Sequence, residues 1–444
     1  MKRAFLTAVT AILAAPILSA QVKKLSMTEA VELALKQNHN LKIARFKVQE
    51  AEEEKAGAKS QYFPTLSNET RLSHITELQD IDIPAGAFGK IPEVGPSPPH
   101  DLFIDQGKTT VVGSGTSLTQ PLTQLIRIHQ QNKAAEADVA SSKDEARNAE
   151  VEVALKVHEM YYALLVAQLN RQAAEQQVQY ADEDLRESAN DVQNGSALKV
   201  TEISSRASML ESKQTLLTAG LQIDDLNAQF DDLLGLPVGT KLELDPTVKT
   251  EFTFPAKDQC LRMAWAENPE IRAAEDSVNK ASAEAGVART KFIPDVTAFA
   301  RYSYQDGIPF LVHNFGTFGV SMNYDIFDFG RRRAEIRQEQ AQVREAEENL
   351  QRLKDEVAVQ LEQTYNKLQR TKSMVEVARQ VVDLRTESER LASNQVQQGV
   401  VLVSEQRKAS SEEYRAQADL LQASLAYVLA RVELDRTIGV VSQF

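Results

Sequence analysis

Apolar residues recur at helical spacing in Ala30, Leu33, Ala34, Leu41, Ala44, Val48 and Ala51, and this spacing predicts a helix over residues 28–61. A similar pattern covers 257–291, and Pro64 and Pro294 follow the two segments as stop signals. The period then changes from helical to two. Phe318, Val320, Met322 and Tyr324 alternate with Thr317, Gly319, Ser321 and Asn323, the mark of a strand with one apolar and one polar face. Val296, Ala298, Ala300, Tyr302 and Tyr304 predict its partner, with Phe299 interrupting the polar side. Earlier in the chain, 65–76 and 108–119 read as weaker strands rich in Thr and Ser. Long helical patterns follow over 122–193 and 329–397, and shorter ones over 200–234 and 403–437. Gly195, Gly399, Gly235 and Gly439 stand just past their ends, where a helix commonly stops.

These elements form an internal duplication. Asn38 and Asn268, like Pro64 and Pro294, lie 230 positions apart, whereas Gly115 and Gly319, Tyr161 and Tyr365, Gly195 and Gly399, and Gly235 and Gly439 lie 204 apart. The first copy therefore carries 26 extra residues between Pro64 and Gly115, within a Pro/Gly-rich loop at 83–100. The expected organisation is an export leader (1–20), a first repeat of helix, two strands, long helix and short helix (21–236), a linker (237–256), a second repeat (257–440) and a tail (441–444).

At about 1.5 Å per residue a long helix of this size reaches about 110 Å, more than a compact domain holds. Val153, Val157, Met160, Tyr161, Leu164 and Ala167, repeated as Val357, Leu361, Tyr365 and Leu368, form a narrow seam of the coiled-coil kind. The expected fold is mostly helical with a small β part: long antiparallel coiled-coil helices plus four barrel strands per chain. Four strands cannot close a barrel, and open edges invite aggregation. Three chains supply twelve strands, giving a trimeric 12-stranded β-barrel with a helical tunnel.

Composition narrows the functions. Met1-Lys2-Arg3, an apolar run from Ala4 to Leu18 and Ser19-Ala20 match a secretory signal. Later apolar runs are too short for a membrane-crossing helix, so any membrane segment must be made of strands. A net charge of −13 argues against a nucleic-acid partner. Cys260, the single cysteine, sits at an apolar helical position and reads as a small core residue. The six histidines show no paired spacing on a helix face, so neither a metal site nor a cofactor is expected.

The signal segment, the opening Leu25-Ser-Met-Thr-Glu-Ala-Val-Glu-Leu-Ala-Leu-Lys-Gln-Asn-His39, the second opening Cys260-Leu-Arg-Met-Ala-Trp-Ala-Glu-Asn-Pro269, Phe63-Pro64, Ile293-Pro294 and Phe327-Asp-Phe-Gly-Arg-Arg332 together resemble the TolC-like outer membrane efflux proteins. The resemblance implies a homotrimeric channel that crosses the outer membrane lipid and extends into the periplasm. It further implies a passive exit duct in a tripartite efflux or type I secretion system, with a periplasmic adaptor (membrane fusion protein) and an inner-membrane transporter as partners and no enzymatic activity. Drugs, metal ions and polypeptides all remain open as substrates. The distal helical turns at Gly195 and Gly399 correspond to the tunnel gate, with Glu405, Thr201 and Glu202 near the position where the family often has an acidic residue. Val396 and Val401 stand where better-known members carry an aromatic and a basic gate residue. A periplasmic coiled-coil rod without a pore is the alternative reading.

Three local features complete the picture. Asp182-Glu183-Asp184 with Glu187 and Asp191 is either a solvated face or, tripled by symmetry, an acidic tunnel entrance. Asp328-Phe329-Gly330 matches a kinase metal motif, but no Gly-rich loop, strand Lys or His-Arg-Asp loop accompanies it. Its place between strand and helix instead predicts a membrane-interface junction, with Tyr324 and Phe327 in an aromatic girdle and Arg331 and Arg332 just outside the hydrocarbon. Phe444 reads as an incidental terminal aromatic.

Overall fold

The structure, a computed structural model, describes residues 23–240, 242–246, 252–308 and 311–441. The expected leader, part of the linker and Phe444 lie outside these residues. The first copy runs β1 (Lys23–Leu25), α1 (Met27–Gln37), α2 (His39–Ser60), β2 (Thr65–His74), β3 (Ile81–Ile83), β4 (Lys90–Ile91), β5 (Gly95–Pro96), β6 (Leu102–Ile104), β7 (Thr110–Pro121), α3 (Leu125–Gln193) and α4 (Lys199–Leu234). After β8 (Leu242–Leu244), the second copy runs α5 (Lys257–Glu267), α6 (Pro269–Thr290), β9 (Asp295–Asp306), β10 (Asn314–Asn323), α7 (Arg331–Gln397) and α8 (Val403–Ile438).

Each expected opening helix is in fact two. The backbone of Asn38 turns extended (φ −55°, ψ 131°), and its side-chain oxygen accepts the amides of Asn40 (2.9 Å) and Leu41 (3.2 Å), starting a new helix. Its amide nitrogen donates to the Leu233 carbonyl at 2.9 Å, near the end of α4. Asn268 repeats the device: it caps Glu270 (2.9 Å) and Ile271 (3.2 Å) and donates to the Thr437 carbonyl at 3.0 Å. Periodicity missed the break because the apolar face continues across it; Leu41 and Ile271 are both fully buried beyond it. Gly439, at φ +90°, packs against the second break so closely that a Cβ there would lie 2.5 Å from the Glu267 carbonyl oxygen.

The described residues group into two compact units. The first comprises the chain up to Phe46, Lys143–Arg272 and Arg352 onward. One of its cores joins Ala30 and Ala34 of α1, Val157, Tyr161 and Leu164 of α3, Phe230 and Leu234 of α4, and Leu425, Val428 and Val432 of α8. A second joins Cys260, Leu361 and Leu368 to Tyr427, Leu434 and Ile438. The expected seam residues Val157, Leu164, Leu361 and Leu368 are fully buried, each contributing about 1.5–3 kcal/mol. Because α8 faces both cores, it is apolar on two sides, unlike a surface helix. The parallel pair β1–β8, too short to read from pattern, is fastened by Tyr161: its hydroxyl donates to the Leu25 carbonyl (2.9 Å) and accepts the Asp245 amide (2.9 Å). Burial pushes this phenol up to about 12.

The second unit comprises Lys47–Ser142 and Ala273–Gln351 and holds an antiparallel sheet in the order β10-β9-β7-β2. Its register separates two faces. One cross-strand row is apolar, Phe318, Ala300, Leu118 and Leu66, and the adjacent row on the other face is polar, Thr317, Arg301, Ser117 and Ser67. On the apolar face the first copy is mixed: Asn68 donates to Thr116 (2.9 Å), and Thr70 pairs with Ser114 (2.9 Å). The 26-residue excess is not a plain loop, since it contains the antiparallel pairs β3–β6 and β4–β5, whose two- and three-residue strands fall below the reach of pattern.

Asn268→Ala should cost about 2 kcal/mol by removing a helix cap and stranding the Thr437 carbonyl. Asn268→Asp, which keeps the capping oxygen, should cost less. Thermal melting followed by far-ultraviolet circular dichroism checks the order; equal midpoints for wild type and Asn268→Ala would refute the anchoring role.

Candidate functional site

Two places gather the expected functional residues: the strand-to-helix junction in the second unit and the two distal helical turns in the first. At the junction, β10 ends at Asn323, so Tyr324 and Ile326 lie beyond the strand rather than completing it. Phe329 (φ +53°) and Gly330 (φ +91°) both take left-handed backbone, which reverses the chain into α7. Asp328 is the cap of that helix. Its carboxylate accepts the amides of Gly330 (3.1 Å) and Arg332 (3.1 Å) and the Arg332 Nε at 2.6 Å. The tripeptide that resembles a kinase metal motif is thus a turn with its own counter-ion.

Arg332 departs from the expectation of a headgroup-level cation, because it is only 7% exposed. It donates to the Asp325 carbonyl at 2.6 Å, and its guanidinium lies 5.0 Å from the Phe292 ring and 5.1 Å from the Tyr324 ring. The planar cation is held by hydrogen bonds and by two aromatic rings within cation–π distance. This contact holds Asp328 below the usual carboxylate range, chiefly through the Arg332 hydrogen bond. Arg331, by contrast, is exposed and pairs with Asp325 at 2.9 Å. Phe327 and Phe329 meet edge to face at 4.6 Å and are largely exposed, as is Ile326. Of the two expected aromatics, Phe327 projects, joined by Phe329 and the aliphatic Ile326, whereas Tyr324 packs against Arg332.

The first-copy junction is built differently. The Thr123 hydroxyl donates to the Pro294 carbonyl (2.6 Å) and accepts the Val296 amide (2.8 Å), and Arg127 pairs with Asp295 at 3.2 Å.

At the distal turns, Gly195 (φ +77°) and Gly399 (φ +71°) adopt the left-handed conformation that ends a helix. Matching bonds close both turns: Ser196 donates to the Asp191 carbonyl (2.8 Å), and Val400 to the Gln395 carbonyl (2.9 Å). Neither following helix has a capping side chain of its own. Glu187 supplies the missing cap for α8, accepting the Ser404 amide at 3.1 Å. Of the two expected acidic-entrance residues, Glu187 thus has a structural partner, whereas Asp191 is exposed and its carboxylate accepts the Ser196 hydroxyl (3.3 Å). Thr201 is exposed, Glu202 pairs with Lys199, and Glu405 is exposed near Tyr180. Burial and the neighbouring Asp184 raise the Tyr180 hydroxyl pKa. Sequence reasoning passed over Leu198 and Leu402, which are 74% and 63% exposed beside the turns. Their equivalent positions in the two copies were the available signal.

A sheet with a partly apolar face and two open edges, joined in one chain to antiparallel helices, has the features of a membrane-channel subunit. The model of the family described as outer membrane efflux protein matches residues 30–236 and 260–440, and the chain belongs to that family. Membership places it in the outer membrane and sets aside the poreless rod. Among solved structures, the outer membrane protein VceC from Vibrio cholerae is similar over 94% of this chain and 97% of its own, at 16% identity and a TM-score of 0.70. The open-state MtrE outer membrane channel of Neisseria gonorrhoeae covers 94% and 89% at 17% identity and 0.69. The Campylobacter jejuni CmeC outer membrane channel covers 93% and 85% at 16% identity and 0.67. No curated protein matches the sequence significantly.

Replacing Arg332 with Ala should open the junction and make it cleavable by chymotrypsin after Tyr324, Phe327 or Phe329. The depressed Asp328 carboxyl contributes stability above the unfolded-chain value of about 3.9 and loses it as the pH falls through the lower folded value. An acid-stable protease should therefore find the wild-type turn protected at pH 5 and exposed only well below pH 4. Identical digestion of wild type and Arg332→Ala at neutral pH would show that the arginine does not hold the turn.

Proposed function

We propose that three copies of this chain close into a passive exit duct: a twelve-stranded barrel in the outer membrane continued by a periplasmic tunnel of helices. The carrying observation is that both units leave matched unpaired surfaces. In the sheet, β10 and β2 are the two edges. Along the helices, Ser188 bonds Ser205, Gln177 bonds Ser411 and Thr386 bonds Glu413, giving the order α4-α3-α8-α7. The outermost helices expose heptad-spaced seams: Ile203, Leu210 and Leu217 on α4, and Val377, Leu384 and Leu391 on α7. Leu210 stands 15 residues after Gly195 and Leu384 stands 15 before Gly399, so both lie about 22 Å from their turns. Head-to-tail contact of α4 with a neighbour's α7, and of β2 with its β10, closes a ring by rotation.

In this reading the tandem copies, 21–236 and 257–440, each supply two barrel strands and one long and one short tunnel helix. The turns at Gly195 and Gly399, with Thr201, Glu202 and Glu405, form the distal gate and meet a periplasmic adaptor, while an inner-membrane transporter supplies energy and substrate choice. Asp191, repeated around the ring, contributes negative charge at the entrance.

Leu210→Cys/Leu384→Cys treated with a short bis-maleimide should yield a covalent trimer on denaturing gels and the same conductance steps in planar bilayers as wild type. Monomers alone after cross-linking, or no conductance from wild type, would refute the duct. In the same bilayers Asp191→Lys should reduce cation preference, and unchanged ion selectivity would remove Asp191 from the entrance.

A further inference from the structure

The head of α7 carries a run of cations where a helix least favours them. The amino-terminal end of a helix is the positive end of its dipole, and acidic residues are the usual occupants of the first turn. Here that turn holds Arg331, Arg332 and Arg333 and no acidic residue, with Arg337 one turn further on. Two of these charges are answered within the chain: Arg331 by Asp325 and Arg332 by Asp328. Arg333 and Arg337 are exposed and lie four residues apart on one helix face, and their side chains make no hydrogen bond or ion pair among the described residues. The helix end itself is not the site, because Asp328 already accepts its leading amides.

These arginines and Arg331 border a shallow hollow of about 830 Å³ that also takes in Phe329, Ala334, Ile336 and Asp328, whose carboxylate is already engaged by Arg332. Phe329 is 91% exposed, stands edge to face with Phe327, and has the equally exposed Ile326 close in sequence. Unpaired guanidinium groups beside projecting apolar side chains match a ligand with an anionic head and hydrocarbon tails. A soluble anion would use the arginines and leave the aromatics in water.

We propose that this hollow binds an anionic phospholipid of the periplasmic leaflet, with its phosphate between Arg333 and Arg337 and its acyl chains against Phe327, Phe329 and Ile326. The site rests on the reading of the sheet as a membrane barrel. It would fasten the barrel at a set depth, because the head of α7 follows the end of β10 by only a short turn.

The test uses the full chain in neutral detergent, incubated separately with phosphatidylglycerol and phosphatidylcholine, with bound lipid counted by native mass spectrometry. Wild type should retain phosphatidylglycerol under conditions that strip phosphatidylcholine. Arg333→Gln/Arg337→Gln should weaken phosphatidylglycerol binding by about tenfold or more, given the attraction of each basic residue for an anionic surface. Arg333→Lys/Arg337→Lys should keep most of it, and Arg206→Gln, a change at an exposed arginine of α4, should behave as wild type. Equal retention of phosphatidylglycerol by wild type and the double Gln variant overturns the site, as does equal retention of the two lipids by wild type. Planar-bilayer conductance of the same preparations separates the two readings. A double Gln variant that conducts but has lost its lipid supports the site, whereas wild type that forms no channel defeats the barrel reading on which the site rests.

Discussion

A backbone amide in hydrocarbon must find its partner within protein, because the bilayer core offers none. This chain meets that demand along β7 and β9 and leaves it open along β2 and β10, the two edges of its four-stranded sheet. Four strands cannot curl far enough to join their own edges, so these edges need partners from outside the sheet, which the proposed trimer supplies. The helices of the other unit pose an equivalent demand in water through a different force. There, Leu210 and Leu217 on α4 and Leu384 and Leu391 on α7 stand exposed at coiled-coil spacing on the outermost helices. Hydrogen bonding in one unit and apolar burial in the other thus independently require a neighbour on each side. The head-to-tail trimer proposed above would answer both.

The duplication preserves the anchors and changes the surfaces. Asn38 and Asn268 each cap a helix and hold the last turn of the short helix that returns to it, and Gly235 and Gly439 end those helices beside the breaks. The short helices then diverge. α8 is buried on two sides between two cores, whereas α4 buries mainly its final turn, around Phe230 and Leu234. The strands diverge as well: β9 and β10 present Tyr302, Phe318 and Val320, and the equivalent face of β2 and β7 carries Asn68, Thr70, Ser114 and Thr116. Strand pairing and helix capping constrain the backbone of both copies alike, but their side chains answer to different neighbours.

The order of elements, the duplication, the distal glycine turns and the coiled-coil seam could be read from the chain, because each rests on local spacing or on repetition. Features set by residues distant in sequence could not. The break at Asn38 keeps the apolar face continuous, so only the reach of its amide to Leu233 marks it. Glu187 reads as one acidic residue in a polar run, and its role as the cap of α8 depends on Ser404, more than two hundred positions away. Arg332 looks interchangeable with Arg331 and Arg333 in sequence. Burial beneath Phe292 and Tyr324 separates it from them, and no periodicity encodes a choice among three adjacent arginines.

The contrast between the two junctions follows from their places in the sheet. β7 is an interior strand, and the turn after it draws on its neighbour: Thr123 bridges Pro294 and Val296, and Arg127 reaches Asp295, all at the start of β9. β10 is an edge strand, so one side of its turn has no in-chain neighbour to draw on. A junction there must satisfy itself largely within its own few residues. Asp328 accordingly caps the helix and binds Arg332, Asp325 answers Arg331, and two left-handed residues in succession make the reversal compact. What this closed turn leaves exposed is the Phe327–Phe329 pair and the side chains of Arg333 and Arg337, none of which the capping and ion pairs of the turn use.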